Sequence, residues 1–197
     1  MCRGCVKPFC AQVEQIPTSK NMFTAQELSL PGVLLITPKV FSDARGYSSV
    51  VYNAEEFAKL GVITNFEQDF ISHSVKNVIR GLHFQQAPHI QDKLVRCIQG
   101  TIFDVAADYD SKSLTFGHYI SATLTANEQT MLFVPGKYAH GFCVTSDTAT
   151  VEYKIGGAYS PELASGVVWN DPLLHIAWPT TDPILSEPDT LWKPLTI

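Results

Sequence analysis

Residues 80–100, RGLHFQQAPHIQDKLVRCIQG, set an arginine, two histidines and a lysine just ahead of an alternating apolar run. That run, Leu94-Val95-Arg96-Cys97-Ile98 closed by Gly100, has the period of a half-buried strand with a turn behind it. Reactive side chains at the entrance of a rigid strand are where a site can be held in place. Two later segments answer it, residues 135–142 (PGKYAHGF) and 151–154 (VEYK). The three are expected to face one pocket.

Outward from this stretch the pattern stays β-like. Residues 65–70, 93–99, 101–107, 116–124, 130–134, 141–145 and 148–155 read as strands, with Gly, Pro, Asn and Asp between them. Short strands at regular spacing predict an antiparallel sandwich or barrel. Upstream, residues 33–37, 40–41 and 47–52 predict further strands around the turn Asp43-Ala44-Arg45-Gly46. One helix is expected. Asn53 is a good N-cap, Glu56 stands three residues on as in a capping box, and Gly61 stops the helix after Leu60. Residues 1–22 read as an N-terminal extension and residues 23–197 as a single domain. The proline-rich tail from Leu173 is expected to wrap the surface.

With 197 residues, 45% of them apolar and 17% charged, the chain can bury a real core and does not read as disordered. A net charge of −5 and the lack of any Lys/Arg run argue against nucleic acid and anionic membrane as partners. No apolar run reaches the ~18–20 residues of a membrane span, and the opening lacks the apolar core of a secretory signal. Cys2, Cys5, Cys10, Cys97 and Cys143 make an odd count without a pairing framework, which points to a reducing compartment. A cytoplasmic protein is expected. Cys2-x-x-Cys5 with Cys10 has the look of half a zinc site, but no fourth ligand stands nearby, and it reads as incidental.

The sequence holds no Gly-rich phosphate loop, nucleophile elbow or kinase motif set. Paired histidines in a small β-barrel raise the question of a metal. A metal-binding cupin expects His, His, Glu and His, where this chain offers His89, Gln91, Lys93 and His140. A protonated lysine cannot ligate, and its charge opposes a cation in the same spot, so no metal is expected. A metal-free pocket of Arg80, His83, Lys93, His140 and Tyr153 suits anion binding combined with proton transfer. Histidine can take and give a proton near neutrality, and a nearby cation can stabilise an enolate oxygen. Tyrosine on the opposite wall can return a proton from the other face, which inverts a stereocentre.

Arg80-Gly-Leu-His83-Phe, Gln91-Asp-Lys93-Leu-Val, Phe103-Asp-Val-Ala, residues 135–142, Tyr153-Lys154 and Trp169-Asn-Asp-Pro occur in that order. With Leu185-Ser-Glu-Pro-Asp189 and Trp192-Lys-Pro-Leu behind them, they resemble the dTDP-4-dehydrorhamnose 3,5-epimerase family over roughly residues 30–195. The resemblance implies an all-β, cupin-type jelly roll (a double-stranded β-helix) with a few short helices. It also implies no cofactor, a homodimer, and a nucleoside-diphosphate 4-keto-6-deoxyhexose substrate epimerised beside its ketone. By position, His83 is the expected base, Asp189 the carboxylate that orients it, Lys93 the enolate stabiliser and Tyr153 the acid. Arg45, Gln68, Arg80 and His140 match substrate-contacting positions, the arginines suiting a pyrophosphate. Asp171 is expected to bond its own turn rather than the histidine.

The chain departs from the family where Val50, Phe70, Ala158, Ala164 and Pro188 stand in place of Glu, Asn, an aromatic, Glu and Lys. Those are binding positions more than chemical ones, so a changed nucleotide or outer sugar pattern is expected, with the chemistry kept. Inversion at one carbon or at two stays open at this level. So do a sugar-nucleotide-binding cupin without turnover, a metal-dependent cupin oxygenase and a sugar ketoisomerase.

Overall fold

The alternation at Lys93–Gln99 is a strand, and it lies inside the larger of two facing sheets. The protein is seen in a computed structural model that describes residues 22–196. The expected cysteine cluster at positions 2, 5 and 10, and the expected extension up to residue 21, lie outside the described residues, while Met22 is buried in the fold.

The first strands are β1 (Phe23–Glu27), β2 (Leu34–Pro38) and the hairpin of β3 (Val40–Asp43) and β4 (Gly46–Ser49). Helix α1 (Ala54–Lys59) follows, then β5 (Phe66–Val75), β6 (Ile79–Gln85), β7 (Lys93–Gln99), β8 (Thr101–Ala107) and β9 (Tyr119–Thr125). After these come β10 (Met131–Val134), β11 (Ala139–Val144), β12 (Thr148–Gly156), β13 (Ala164–Gly166) and a short α2 (Glu187–Thr190). One sheet runs β1-β2-β10-β7-β12-β5 and the other β13-β6-β11-β8-β9, and the pairings within both are antiparallel. From β5 to β13 the chain changes sheet at nearly every step, which is the expected jelly roll.

Three apolar clusters hold it. The central one lies between the sheets and includes Val95, Val151 and Leu132 from one and Ile102, Phe142 and Leu124 from the other. A second covers the outer face of the larger sheet, where α1 lays Phe57 against Ile36, Leu94 and Met131. A six-residue helix is marginal by itself. It is fixed by the fully buried Phe57 ring, 4.9 Å from Phe23 and 5.0 Å from Tyr52, a burial contributing about 2 kcal/mol. Its cap is as expected, with the Glu56 N–H donating to Asn53 Oδ1 at 3.1 Å, but the Glu56 carboxylate turns to Lys59 instead of closing the box. A third cluster puts Leu174 and Val167 over Leu82 and Val105, on the outside of the smaller sheet.

Because both sheets are covered on both sides in their middles, β10 and β11 are buried at every residue and do not alternate. That also hides β6, whose residues carry no strand period and look only like a lead-in to β7. β6 lies so close to β11 that a Cβ on Gly81 would stand 2.5 Å from the Gly141 Cα. The glycines that make room break the strand pattern. Other bounds move as well. β1 was not anticipated, β5 runs on to Val75, β9 starts at Tyr119, and β4 ends at Ser49, beyond which Val50, Val51 and Tyr52 pack beneath α1.

The tail does more than wrap the surface. Ile184 and Lys193 make parallel bridges to Val78 and Val167. Buried Asp171 accepts N–H bonds from Leu173 and Leu174 at Oδ1, the turn expected of it, and one from Leu195 at Oδ2. That last bond pins the end of the tail to the body.

Candidate active site

A cavity of about 520 Å³ opens among β5, β6, β7, β11, β12 and the tail. On β5, Gln68 and Phe70 lie on the same side as the buried Ser72 and Ser74 and so point inward. Phe70 is the register partner of Tyr153 on β12, with ring centroids 5.8 Å apart. On the facing sheet His83 and His140 are cross-strand partners on β6 and β11, beside the irregularity that Gly141 introduces.

His83 Nε2 and Asp189 Oδ1 are 2.5 Å apart. The imidazole is 44% exposed and the carboxylate only 4%, so the ring meets the cavity while its partner is sealed behind it. Burial pushes the Asp189 carboxyl up. The His83 bond and charge, with bonds to Ser186 and Trp192, outweigh that and hold it below the usual range. It is therefore a carboxylate near neutrality. Ser186 caps α2 by accepting the Asp189 N–H at 3.3 Å, and this turn brings the side chain inward.

A second histidine–carboxylate pair lies deeper. His140 Nε2 is 2.7 Å from Asp104 Oδ1, and both side chains are buried. Asp104 Oδ2 has no hydrogen-bond partner among the described residues. Its charge acts on Lys93 and Tyr153 in the cavity and on the buried Cys97. Burial lowers the Lys93 ammonium to about 8, with Asp104 pulling the other way. Burial raises the Tyr153 phenol far above its ordinary value and Asp104 raises it further, with Ser72 and Arg80 opposing. Tyr153 is thus held protonated, as an acid must be. Lys93 Nζ donates to the His83 carbonyl at 3.1 Å, and Arg80 Nε to Ser74 Oγ at 3.0 Å.

The profile of the dTDP-4-dehydrorhamnose 3,5-epimerase family matches residues 27–196. The chain belongs to that family. It is therefore an isomerase of the epimerase type. A dTDP-4-dehydrorhamnose 3,5-epimerase of Methanothermobacter thermautotrophicus is 44% identical over 170 residues, 85% of this chain and 91% of the relative. A dTDP-4-dehydrorhamnose 3-epimerase of Streptomyces niveus is 37% identical, covering 82% of this chain and 79% of its own. The crystal structure of the Bacillus anthracis 3,5-epimerase, with TDP and PPi bound, superposes with a TM-score of 0.85 at 40% identity. It covers 88% of this chain and 99% of that one.

Seven of the eight residues singled out in the sequence line this cavity: His83, Tyr153, Asp189, Lys93, Gln68, Arg80 and His140. Arg45 does not. It sits in the β3–β4 hairpin, 76% exposed at its side chain, in an ion pair with Asp43 at 2.6 Å, and this chain's own cavity lies elsewhere. His89 is exposed outside the cavity lining, while Gln91 turns its amide to the Gly157 carbonyl at 3.1 Å. Among the described residues no three His, Cys, Asp or Glu side chains cluster as metal ligands would. Of the departures from the family pattern, Phe70 and Ala164 line the cavity, whereas Val50 packs under α1. A second depression of about 460 Å³ between Trp169 and Trp178 holds His175, but its Asp171 is taken up by backbone N–H groups.

Sequence reading passed over Asp104 and the indole of Trp192. Asp104 had a visible signal, a lone carboxylate inside the apolar run Ile102–Ala107 that a buried strand tolerates only when paired. Trp192 stands in the Trp192-Lys-Pro-Leu motif but carries no sign there of a role, because its bond to Asp189 depends on the turn of α2.

Proposed function

We propose that the protein epimerises a nucleoside-diphosphate 4-keto-6-deoxyhexose at carbon beside the ketone, with His83 as base and Tyr153 as acid. The observation that carries this is that the two side chains line one cavity from opposite sheets, His83 backed by Asp189 and Tyr153 kept protonated by burial. With Nε2–H donating to an ionised Asp189, the lone pair of His83 lies on Nδ1, which takes the C–H proton. The electron pair moves onto the ketone oxygen, where the Lys93 ammonium stabilises the enolate. Tyr153 Oη then gives a proton to the other face of the same carbon, and the two side chains are reset through solvent. No cofactor is needed for this sequence of steps.

Arg80, Gln68 and His140 hold the substrate, with the diphosphate toward Arg80. The substitutions at Phe70 and Ala164 take two hydrogen-bonding groups from the wall, which favours a handle other than the usual one for the nucleotide or outer sugar. Arg45 contacts substrate only across a homodimer, and we read the protein as one. The exposed edge strand β5, with Ile71 and Val75 outward, is the surface that supports this. No helix among the described residues is long and apolar enough to cross a membrane, and Cys97 and Cys143 are free thiols. We place the enzyme in the cytoplasm.

The test is proton NMR in deuterium oxide with the dTDP, CDP, GDP and UDP forms of the 4-keto-6-deoxyhexose. Loss of the C3 or C5 proton signal, abolished by His83→Ala, identifies the carbon and the nucleotide together. Tyr153→Phe is expected to keep the exchange while losing the inverted product. No exchange with any of the four sinks the proposal.

A further inference from the structure

We infer that Trp192 is a positioning residue that sets the proton affinity of the His83–Asp189 pair. Its indole Nε1 donates to Asp189 Oδ1 at 3.2 Å. This is the same oxygen that holds His83 Nε2. The His83 and Trp192 rings meet edge to face with centroids 6.4 Å apart, and both line the cavity.

The seat for the indole is built in. Gly166 on β13 is the register partner of His83, and a Cβ there would stand 2.7 Å from Trp192 Cε2 and 2.6 Å from the Leu82 carbonyl. Only a residue without a side chain leaves that space. The next residue, Lys193, fixes the backbone by accepting the Val168 N–H at 3.3 Å and bridging to Val167. Two strands and the tail thus hold one N–H on one carboxylate oxygen.

The chemistry follows from sharing that oxygen. A neutral donor on Oδ1 stabilises the carboxylate and draws off part of the density that would otherwise favour a positively charged imidazole. Removing it leaves Asp189 a stronger partner for the imidazolium, so His83 holds its proton to higher pH. Other titratable and charged groups line the same cavity: Arg80 on β6, Lys93 on β7, Tyr153 on β12, Tyr159, and His140 on β11 with Asp104 of β8 bonded behind it. Glu187 shares α2 with Asp189. A Trp192→Phe change touches none of these and keeps a ring in the seat.

The inference rests on His83 being the base only for its kinetic arm. The direct arm is an NMR titration of the His83 imidazole in the full chain, the signal assigned by its loss in His83→Asn. Trp192→Phe is expected to move the midpoint up by about 0.5 pH unit, and the acid limb of kcat/KM with it. Gly166→Ala, which displaces the indole, moves it the same way, and in an Asp189→Asn background Trp192→Phe no longer moves it. An unmoved midpoint would overturn the inference and leave the indole as packing. A midpoint that moves while kcat/KM shows no matching limb upholds the link to Asp189 and instead removes His83 from the role of base.

Discussion

The half-buried Lys93 ammonium donates to the His83 carbonyl, and loss of solvent draws its pKa down to about 8 from the ordinary 10.5. Between those two values the unfolded chain binds more protons than the folded one, so the charged lysine weakens the fold below about pH 8. Stability recovers as pH rises through that window. Lys93→Met is therefore expected to raise stability by about 1–2 kcal/mol in denaturant titrations while abolishing turnover. In the wild type, kcat/KM should fall as pH rises past about 8, where the ammonium is lost; a profile flat to pH 10 would remove Lys93 from the enolate. This residue was legible in the sequence because a lysine among would-be ligands conflicts with a metal. Asp104 was equally visible as a letter, but its meaning lies in what surrounds it. One carboxylate sits on His140 and acts on both Lys93 and Tyr153, and no spacing along the chain encodes that convergence.

Among elements, α1 and the alternating strand β12 could be read directly, since each buries one face, and β7 was legible from its apolar run and Gly100 although Leu94 and Val95 are buried on opposite faces. β6 could not. It is buried at Ile79, Gly81, Leu82 and Gln85 without a period, because β11 approaches it across two glycines. The tail misled in another way, since prolines and short turns look like surface wrapping until Asp189 is seen to enter the cavity. What holds that segment is Asp171. Asp171→Ala strands three N–H groups, those of Leu173, Leu174 and Leu195, and should cost about 3 kcal/mol of stability. It should also lower kcat/KM at least tenfold at temperatures where the β-sheet circular dichroism is intact. Full activity in that folded variant would show that Asp189 is positioned without this anchor.

For the whole molecule, strand number and spacing anticipated an antiparallel sandwich or barrel, and the family resemblance narrowed that to the jelly roll. The crossing of the chain between sheets was not visible, because pairing partners far apart in sequence leave no local trace. The same holds for assembly. β5 presents an unpaired edge with Ile71 and Val75 more than half exposed, a surface that folded monomers usually block with charge. On the proposed pairing through this edge, Ile71→Lys is expected to shift the protein from dimer to monomer in sedimentation velocity and to weaken substrate binding. A variant that remains dimeric places the contact on another face. The reach of the His83–Asp189 bond has a genetic corollary: its two ends are 106 residues apart in the chain. A stop codon just ahead of Asp189 comes after every strand of both sheets has been translated, with Arg80, Lys93 and Tyr153 already in place. Such an allele removes the partner of His83 together with the Leu195 bond to Asp171 and the Lys193 bridge to Val167, so it is expected to lose catalysis and the anchoring of the tail in one step.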